Sequence, residues 1–239
     1  MLKVRDVSLT HHPIQELSDV SLTVGKGEVC ALIGPNGGGK ELLTQLIADP
    51  RWEHSGEIVV NHFNVSHEPD KAKYHLGYAS PTIALEPYLT GFEQLDFWGS
   101  IFGLSPAERS KRIIDAANTF GLSANLYHLI EVLAQADHQK IRLIASLLHR
   151  PSVVIWNEPT EFLDPTEQQG VKEVIDWLRH NKTAVVIASN DLSLVESVAD
   201  QIAVMVNGKI TARGNLTELK NHSRSGSKAL PEIYRLLVK

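Results

Sequence analysis

GEVCALIGPNGGGKELLTQLIA, residues 27–48, passes from an apolar run through a glycine-rich loop into a helical pattern. Gly34, Gly39 and Lys40 satisfy G-x-x-x-x-G-K, and the pattern carries meaning here because a predicted strand precedes it and a predicted helix follows. Small residues let the backbone N–H groups of Asn36, Gly37, Gly38 and Gly39 turn inward around phosphate oxygens. The positive end of a helix adds to that field, and Lys40 can reach the terminal phosphates. The next residue departs from the pattern, because Glu41 occupies the place of a hydroxyl. A carboxylate beside phosphates repels them unless a cation lies between, whereas the same residue in the first turn of a helix is stabilising by about 0.3–1 kcal/mol. Both readings of Glu41 stand at this point.

Outward from the loop, LKVRDVSL (residues 2–9), SDVSLTV (18–24), SGEIVVN (55–61) and YHLGYAS (74–80) read as strands. The middle of the chain changes period. In TGFEQLDFWGSIFG, Phe92, Leu95, Trp98 and Phe102 share one helical face, and Thr90 with Glu93 has the spacing of a capping box. SPAERSKRIIDAANTFG repeats the signals, with Ser105 as N-cap, Pro106 at the first helical position, Glu108 closing the box and Gly121 ending the run. A helical insert from about Leu89 to Arg150 follows. Beyond it, SVVIW and TAVVIAS read as buried parallel strands flanking a helix opened by Asp164, Pro165 and Glu167, and IAVMVNGKITARG as a hairpin turning at Asn207 and Gly208. Strand–helix–strand order with a phosphate loop predicts an α/β fold: a P-loop core sheet, an antiparallel β-subdomain and an inserted helical subdomain, all in one domain over residues 1–239.

Composition excludes several alternatives. The chain of 239 residues is 43% hydrophobic and 21% charged, and no apolar run approaches the roughly 18–20 residues that span a bilayer. The N-terminus lacks the apolar stretch of a secretory signal, so a cytoplasmic location is expected. A formal net charge of −5 offers no general attraction to nucleic acid. The tail from Lys220 to Lys239 is locally basic and reads as solvated surface. The single cysteine, Cys30, falls in a buried run and forbids an internal disulfide. The 11 histidines form no HxxxH pattern and no CxxC is present, so no protein-only metal site is assigned.

Three segments together, GEVCALIGPNGGGK, LLHRPSVVIWNEPTEFLDP and DQIAVMVNGKITARG, resemble the nucleotide-binding subunit of ATP-binding cassette (ABC) transporters, in order and spacing over essentially the whole chain. LEPYLTGFEQLDFWGSIFGL and the ending LPEIYRLLVK look most like the export type that pairs with separate membrane subunits. The resemblance implies ATP and Mg²⁺ as cofactors and a membrane-spanning partner. It also implies a second cassette, identical or not, clamped head to tail so that each ATP lies between one phosphate loop and the other's signature segment. A peripheral position on the cytoplasmic face of a membrane follows, with no nucleic-acid partner. Docking is expected near Pro81 and the LTGFEQL helix.

Position by position, the resemblance also marks departures. The family's magnesium-binding hydroxyl is Glu41, its magnesium-linked glutamine falls at Pro81, and its Walker B aspartate at Asn157. Proline offers no oxygen ligand and a neutral amide replaces a carboxylate. LSGGQ becomes Leu133, Ala134, Gln135, Ala136 and Asp137, so both glycines carry side chains and Asp137 is expected to cap the helix that follows. The switch histidine is Asn190 and the adenine-stacking aromatic is His11. Lys40, the loop glycines, Glu158 as the family's catalytic base and Asp164 of the inter-subunit loop are retained. Three functions stay open: a degenerate cassette that hydrolyses ATP slowly or not at all, an active ATPase whose metal ligands are rearranged around Glu41 and Asn157, and a nucleotide-free scaffold.

Overall fold

A computed structural model describes residues 1–11, 14–49, 51–223 and 229–238, without the side chains of residues 11, 14, 15, 222 and 223. In chain order, β1 (Leu2–His11) and β2 (Ile14–Val24) form a long antiparallel pair, and β3 (Val29–Ile33) runs through the glycine loop into α1 (Lys40–Ala48). Then come β4 (Ser55–Val60), β5 (Phe63–Asn64), α2 (Pro69–Tyr74) and β6 (Leu76–Ala79). The helices α3 (Gly91–Ile101), α4 (Pro106–Thr119) and α5 (Gln135–Leu147) follow. The chain returns to the sheet with β7 (Val153–Asn157), α6 (Pro165–His180), β8 (Ala184–Ala188), α7 (Leu192–Val198), β9 (Gln201–Val206), β10 (Lys209–Gly214), α8 (Leu216–Ser223) and α9 (Leu230–Leu237).

Two sheets result. One is antiparallel, in the order β2-β1-β4-β5; the other is ordered β10-β9-β3-β8-β7-β6 and is parallel except for the β9–β10 hairpin. In β1 the buried residues run Leu2, Val4, then Val7 and Leu9, a change of phase in a period-two pattern. The extra residue is absorbed at Asp6, whose φ is 48° and whose carboxylate accepts from Ser21 Oγ at 3.0 Å. The parallel strands β3, β7 and β8 are buried on every residue, which is why they read as continuous apolar runs.

Leu95, Ile113, Ala117, Leu122, Leu126 and Ile130 close a separate apolar cluster against Ile141, Ile144 and Leu148. Helix α5 gives its other face, through Leu143, to the cluster around Val154 and Trp156. It therefore joins the helical layer to the sheet, with Trp156 Nε1 donating to Ser146 Oγ at 2.9 Å across that junction. Each such buried leucine or isoleucine is worth about 1.5–3 kcal/mol.

The capping boxes of α3, α4 and α6 form as the sequence predicts, and the β9–β10 turn places Asn207 and Gly208 at φ 49° and 73°. Three expectations are corrected. Helix α5 begins at Gln135 with Ala134 as N-cap and no side-chain cap, so Asp137 lies inside the first turn and does not cap it. Tyr74 ends α2 instead of opening a strand, because Pro69 at the first helical position starts a short helix in PDKAKY. The basic tail is not all solvated surface: Leu230 and Ile233 of α9 are fully buried against β3 and β9, packing that outweighs the local charge. Among the described residues no helix is long and apolar enough to cross a membrane.

Candidate nucleotide-binding site

Strand β3 aims the loop at residues 34–39 toward α1, and close backbone contact fixes its shape. A Cβ at Gly34 would lie 2.0 Å from the Met205 carbonyl oxygen, and one at Gly38 would lie 2.8 Å from the same atom. Gly38 O accepts from Gly208 N at 3.0 Å, so the β9–β10 turn supports the loop from below. Gly39, at φ 102°, is the N-cap of α1, and no side chain fills the first N–H groups of that helix. Lys40 is only 7% exposed, and its Nζ donates to the carbonyls of Gly34 at 2.6 Å and Pro35 at 3.1 Å. Burial lowers its pKa against the opposing charges of Glu158 and Glu41.

Opposite the loop are the ends of β7 and β8. Asn157, the last residue of β7, is buried; its Oδ1 accepts from Thr44 Oγ1 at 2.8 Å and its Nδ2 donates to Tyr78 Oη at 3.0 Å. Glu158 has φ 42° and turns its carboxylate across the sheet end. There it accepts from Ser189 Oγ and from Asn190 N, both at 2.8 Å. Burial pushes the Glu158 carboxyl above its ordinary range, while those two hydrogen bonds pull it back. Asn190 Nδ2 in turn donates to Asn36 Oδ1 at 3.1 Å, tying the loop after β8 to the phosphate loop. Glu41 is exposed and accepts from Gln45 Nε2 at 3.1 Å.

A cavity of about 810 Å³ collects Asn36 to Glu41, Pro81, Asn157, Glu158 and Asn190. Leu133 to Asp137 and Asp164 do not line it. Asp164 instead caps α6, accepting from the backbone of Thr166 and Glu167 at 2.8 Å each. Asp137 is 6% exposed, accepts from Asn125 Nδ2 at 2.8 Å and faces Lys140 Nζ at 3.6 Å; Lys140 also reaches Glu167 on α6 at 2.5 Å. The His11 side chain lies outside the described ones. Two residues of the site, Thr44 and Tyr78, carry no motif in the sequence. Thr44 was within reach of periodicity, one helical turn beyond Lys40, whereas nothing local marks Tyr78 as a partner of a residue 79 positions away. Among the described residues no group of three or more His, Cys, Asp or Glu side chains could hold a metal ion by itself.

A glycine-held loop at the end of a parallel strand, opening a helix and facing a carboxylate on a neighbouring strand end, defines a P-loop nucleotide-binding cassette. A family profile described as "ABC transporter" matches residues 17–161, and the chain belongs to that family. It is 31% identical over 219 residues, 92% of this chain and 70% of the relative, to the linearmycin resistance ATP-binding protein LnrL of Bacillus subtilis. A solved structure titled as the ATP-binding subunit of an ABC transporter matches over 100% of both chains at 27% identity and a TM-score of 0.92. The dimeric cassette MJ0796, solved with ADP and Pi, shares the fold at 21% identity and a TM-score of 0.81, over 90% of this chain and 98% of that one. The chain is an ATP-binding subunit of an ABC transporter.

Proposed function

We propose that this subunit is a degenerate cassette of the export type, which holds nucleotide weakly, hydrolyses ATP slowly or not at all, and acts through a membrane-spanning partner. The observation that carries the reading is Asn157. Its Oδ1 faces Thr44 Oγ1, whose single proton is shared with Glu41 O at 2.7 Å, and its Nδ2 donates to Tyr78, so the position where the family places a carboxylate is neutral. Pro81 lines the same cavity with a side chain that carries no ligand atom, and Glu41, on the wall of that cavity beside Gln45, accepts a hydrogen bond from it. The loop fits phosphates, since no side chain caps the first N–H groups of α1 and Lys40 needs only to exchange two carbonyls for phosphate oxygens. The residues around it do not supply the usual magnesium shell, and the Glu158 carboxylate is already engaged by Ser189 and Asn190.

Pairing with a second cassette, identical or not, and seating at the cytoplasmic face of a membrane belong to the same proposal. The single-domain organisation over 1–239, with its helical part at about 89–150, belongs to it as well. The roles of Leu133 to Asp137 and Asp164 across such a pair are part of it too. In a pair, an opposing segment like Leu133 to Asp137 brings a carboxylate and two side chains where the family brings glycines, which favours slow turnover.

Calorimetric titration of ATP with Mg²⁺ and with EDTA tests the reading. Weak binding with little dependence on the metal is expected, together with tighter, metal-dependent binding once Glu41→Ser, Pro81→Gln and Asn157→Asp are combined. Steady ATP turnover at an ordinary transporter rate, abolished by Glu158→Gln, would overturn it in favour of an active enzyme with rearranged ligands. No heat in either condition would leave the scaffold function.

A further inference from the structure

The cavity in front of the phosphate loop is acidic. Among the described residues Lys40 is the one cation on its wall, and it shares that wall with four carboxylates, Glu16, Glu41, Glu158 and Glu161. Asn157 and Asn190 line it as neutral amides and add no positive charge. Phosphates that enter meet these groups in a fixed order. The N–H groups at the start of α1 carry no side-chain cap and are ready for the first two phosphates, and Lys40 reaches the second and faces the third. Past Lys40 the surroundings turn negative, since Glu158 is the opposing charge that Lys40 feels first and Glu41 the next.

Glu158 is not free to swing aside for a third phosphate. Its Oε2 accepts from Ser189 Oγ and its Oε1 from Asn190 N, both at 2.8 Å, on a backbone held at φ 42°. Asn190 closes the same corner, because its Nδ2 donates to Asn36 Oδ1 at 3.1 Å and so joins the phosphate loop to the loop after β8. A third phosphate adds negative charge here and displaces that amide bridge. Its attraction to Lys40 is offset by repulsion from Glu158, and Glu41 together with the broken bridge then tips the balance against it. A diphosphate keeps the N–H groups and Lys40 while leaving Glu158 and the bridge as they are.

We propose that this site selects a nucleoside diphosphate over the triphosphate, without a metal ion, with Glu158 and the Asn190–Asn36 bridge as the groups that set the specificity. The inference rests on the nucleotide-holding reading above and names the ligand of that same site. Occupancy of the subunit then follows the concentration of diphosphate and not that of triphosphate.

Calorimetric titration of the full chain with ADP and with ATP, each in EDTA and in Mg²⁺ at a pH well above the carboxylate range, tests this. ADP is expected to bind roughly 10-fold or more tighter than ATP in both conditions. The ratio should fall toward parity in Glu158→Gln, which keeps the shape and removes the charge, through a gain in ATP affinity. It should fall by a smaller factor, about 2- to 5-fold, in Asn190→Ala, which removes the bridge. Asn190 is exposed, so its truncation spares the core, and the comparison of ADP with ATP on the unaltered chain needs no variant. A purely structural role for either residue would weaken both nucleotides together and leave the ratio alone. ATP binding as tightly as ADP in EDTA, a preference for ATP restored by Mg²⁺, a ratio undiminished in Glu158→Gln, or binding of neither nucleotide would each overturn the proposal. Turnover is read separately: brisk ATP hydrolysis would overturn the slow-turnover reading and leave an ADP preference in EDTA standing, whereas equal affinities without turnover would overturn this inference alone.

Discussion

Helices α1 and α5 both begin without a side-chain cap, yet their first turns are prepared for opposite things. The start of α1 is preceded by glycines whose backbone crowds Met205, and its early N–H groups face a cavity with Lys40 beside them. The start of α5 carries Asp137 at its third position, buried and held by Asn125 and Lys140, with Lys140 passing the charge on to Glu167. Both helices carry the same kind of dipole. Receptiveness to an anion is therefore decided by what already occupies the turn: α1 leaves room for a phosphate, whereas α5 has supplied its own anion and neutralised it internally.

The largest effect is expected where α1 depends on backbone approach. Gly34→Ala would place a methyl 2.0 Å from Met205 O, and β9 cannot retreat without losing its ladder with β3. A loss of roughly 3 kcal/mol or more is expected in urea denaturation, from forced overpacking against backbone. A fully stable Gly34→Ala would break the claim that glycine geometry, rather than sequence habit, shapes this loop.

The far end of α5 gives the next effect. A histidine beyond a helix C-terminus is favoured as a cation, but His149 is 6% exposed, stacks on Phe102 at 3.7 Å, and donates from Nε2 to Leu76 O at 3.1 Å, while its Nδ1 is buried without a partner. Burial lowers its pKa from 6.5 to about 4. Between those values the unfolded chain binds the extra proton, so the contribution is fully present above pH 6.5 and is lost as pH falls toward 4. The slope reaches about 1.4 kcal/mol per pH unit, or ~3 kcal/mol in all. His149→Gln should flatten this part of the stability-against-pH curve; an unchanged slope would mean that the ring is protonated in the fold.

Much of this architecture was legible because its signals are local. The capping boxes at Thr90, Ser105 and Asp164, the Asn207–Gly208 turn and the glycine loop are each written within a few residues, and each forms. What escaped reading depends on distant partners. Asp137 looked like a cap because an acid at a helix start often is one, but Asn125 and Lys140 draw it away, and the helix starts three residues earlier than its charge suggested. Asn157 was legible as a substitution. That its amide would be shared between Thr44 and Tyr78 was not, since β6 and α1 meet it only after the sheet assembles. The tail misled for a similar reason: the helical stripe of Leu230 and Ile233 shares its apolar cluster with Ala31 and Ile33 of β3, far earlier in the chain, as well as with Ile202 and Val204 of β9.

Replacing the internal anion of α5 tests its half of the comparison. Asp137→Asn keeps the shape and removes the charge, leaving Lys140 with Glu167 alone. A loss of about 1–3 kcal/mol is expected by urea denaturation, as for other buried charge-assisted hydrogen bonds. No loss would mean that Glu167 suffices for Lys140 and that Asp137 is an incidental acid in the first turn.

The smallest effect sharpens the comparison most. Ala134 already has N-cap geometry, with φ −69° and ψ 158°, close to the −74° and 161° of Thr90 at the start of α3. Ala134→Ser therefore places a hydroxyl where it can accept from the Asp137 N–H, and the exchange of alanine for serine at such a position is worth about 0.5–1 kcal/mol. Thr90→Ala, its mirror on α3, should lose about 1 kcal/mol, since it removes the hydroxyl that accepts from Glu93 N at 3.2 Å. A full capping box would need the Asp137 carboxylate to reach back to residue 134, as Glu93 does to Thr90 N at 2.8 Å. Asp137 is committed to Asn125 and Lys140, so the gain at α5 should stop at the hydroxyl's share. Combined with Asp137→Asn, the serine should contribute the same increment, because the two groups do not compete. A larger combined gain would show that the carboxylate had been drawn toward the helix start after all, and that the two helix starts differ less than their side chains imply.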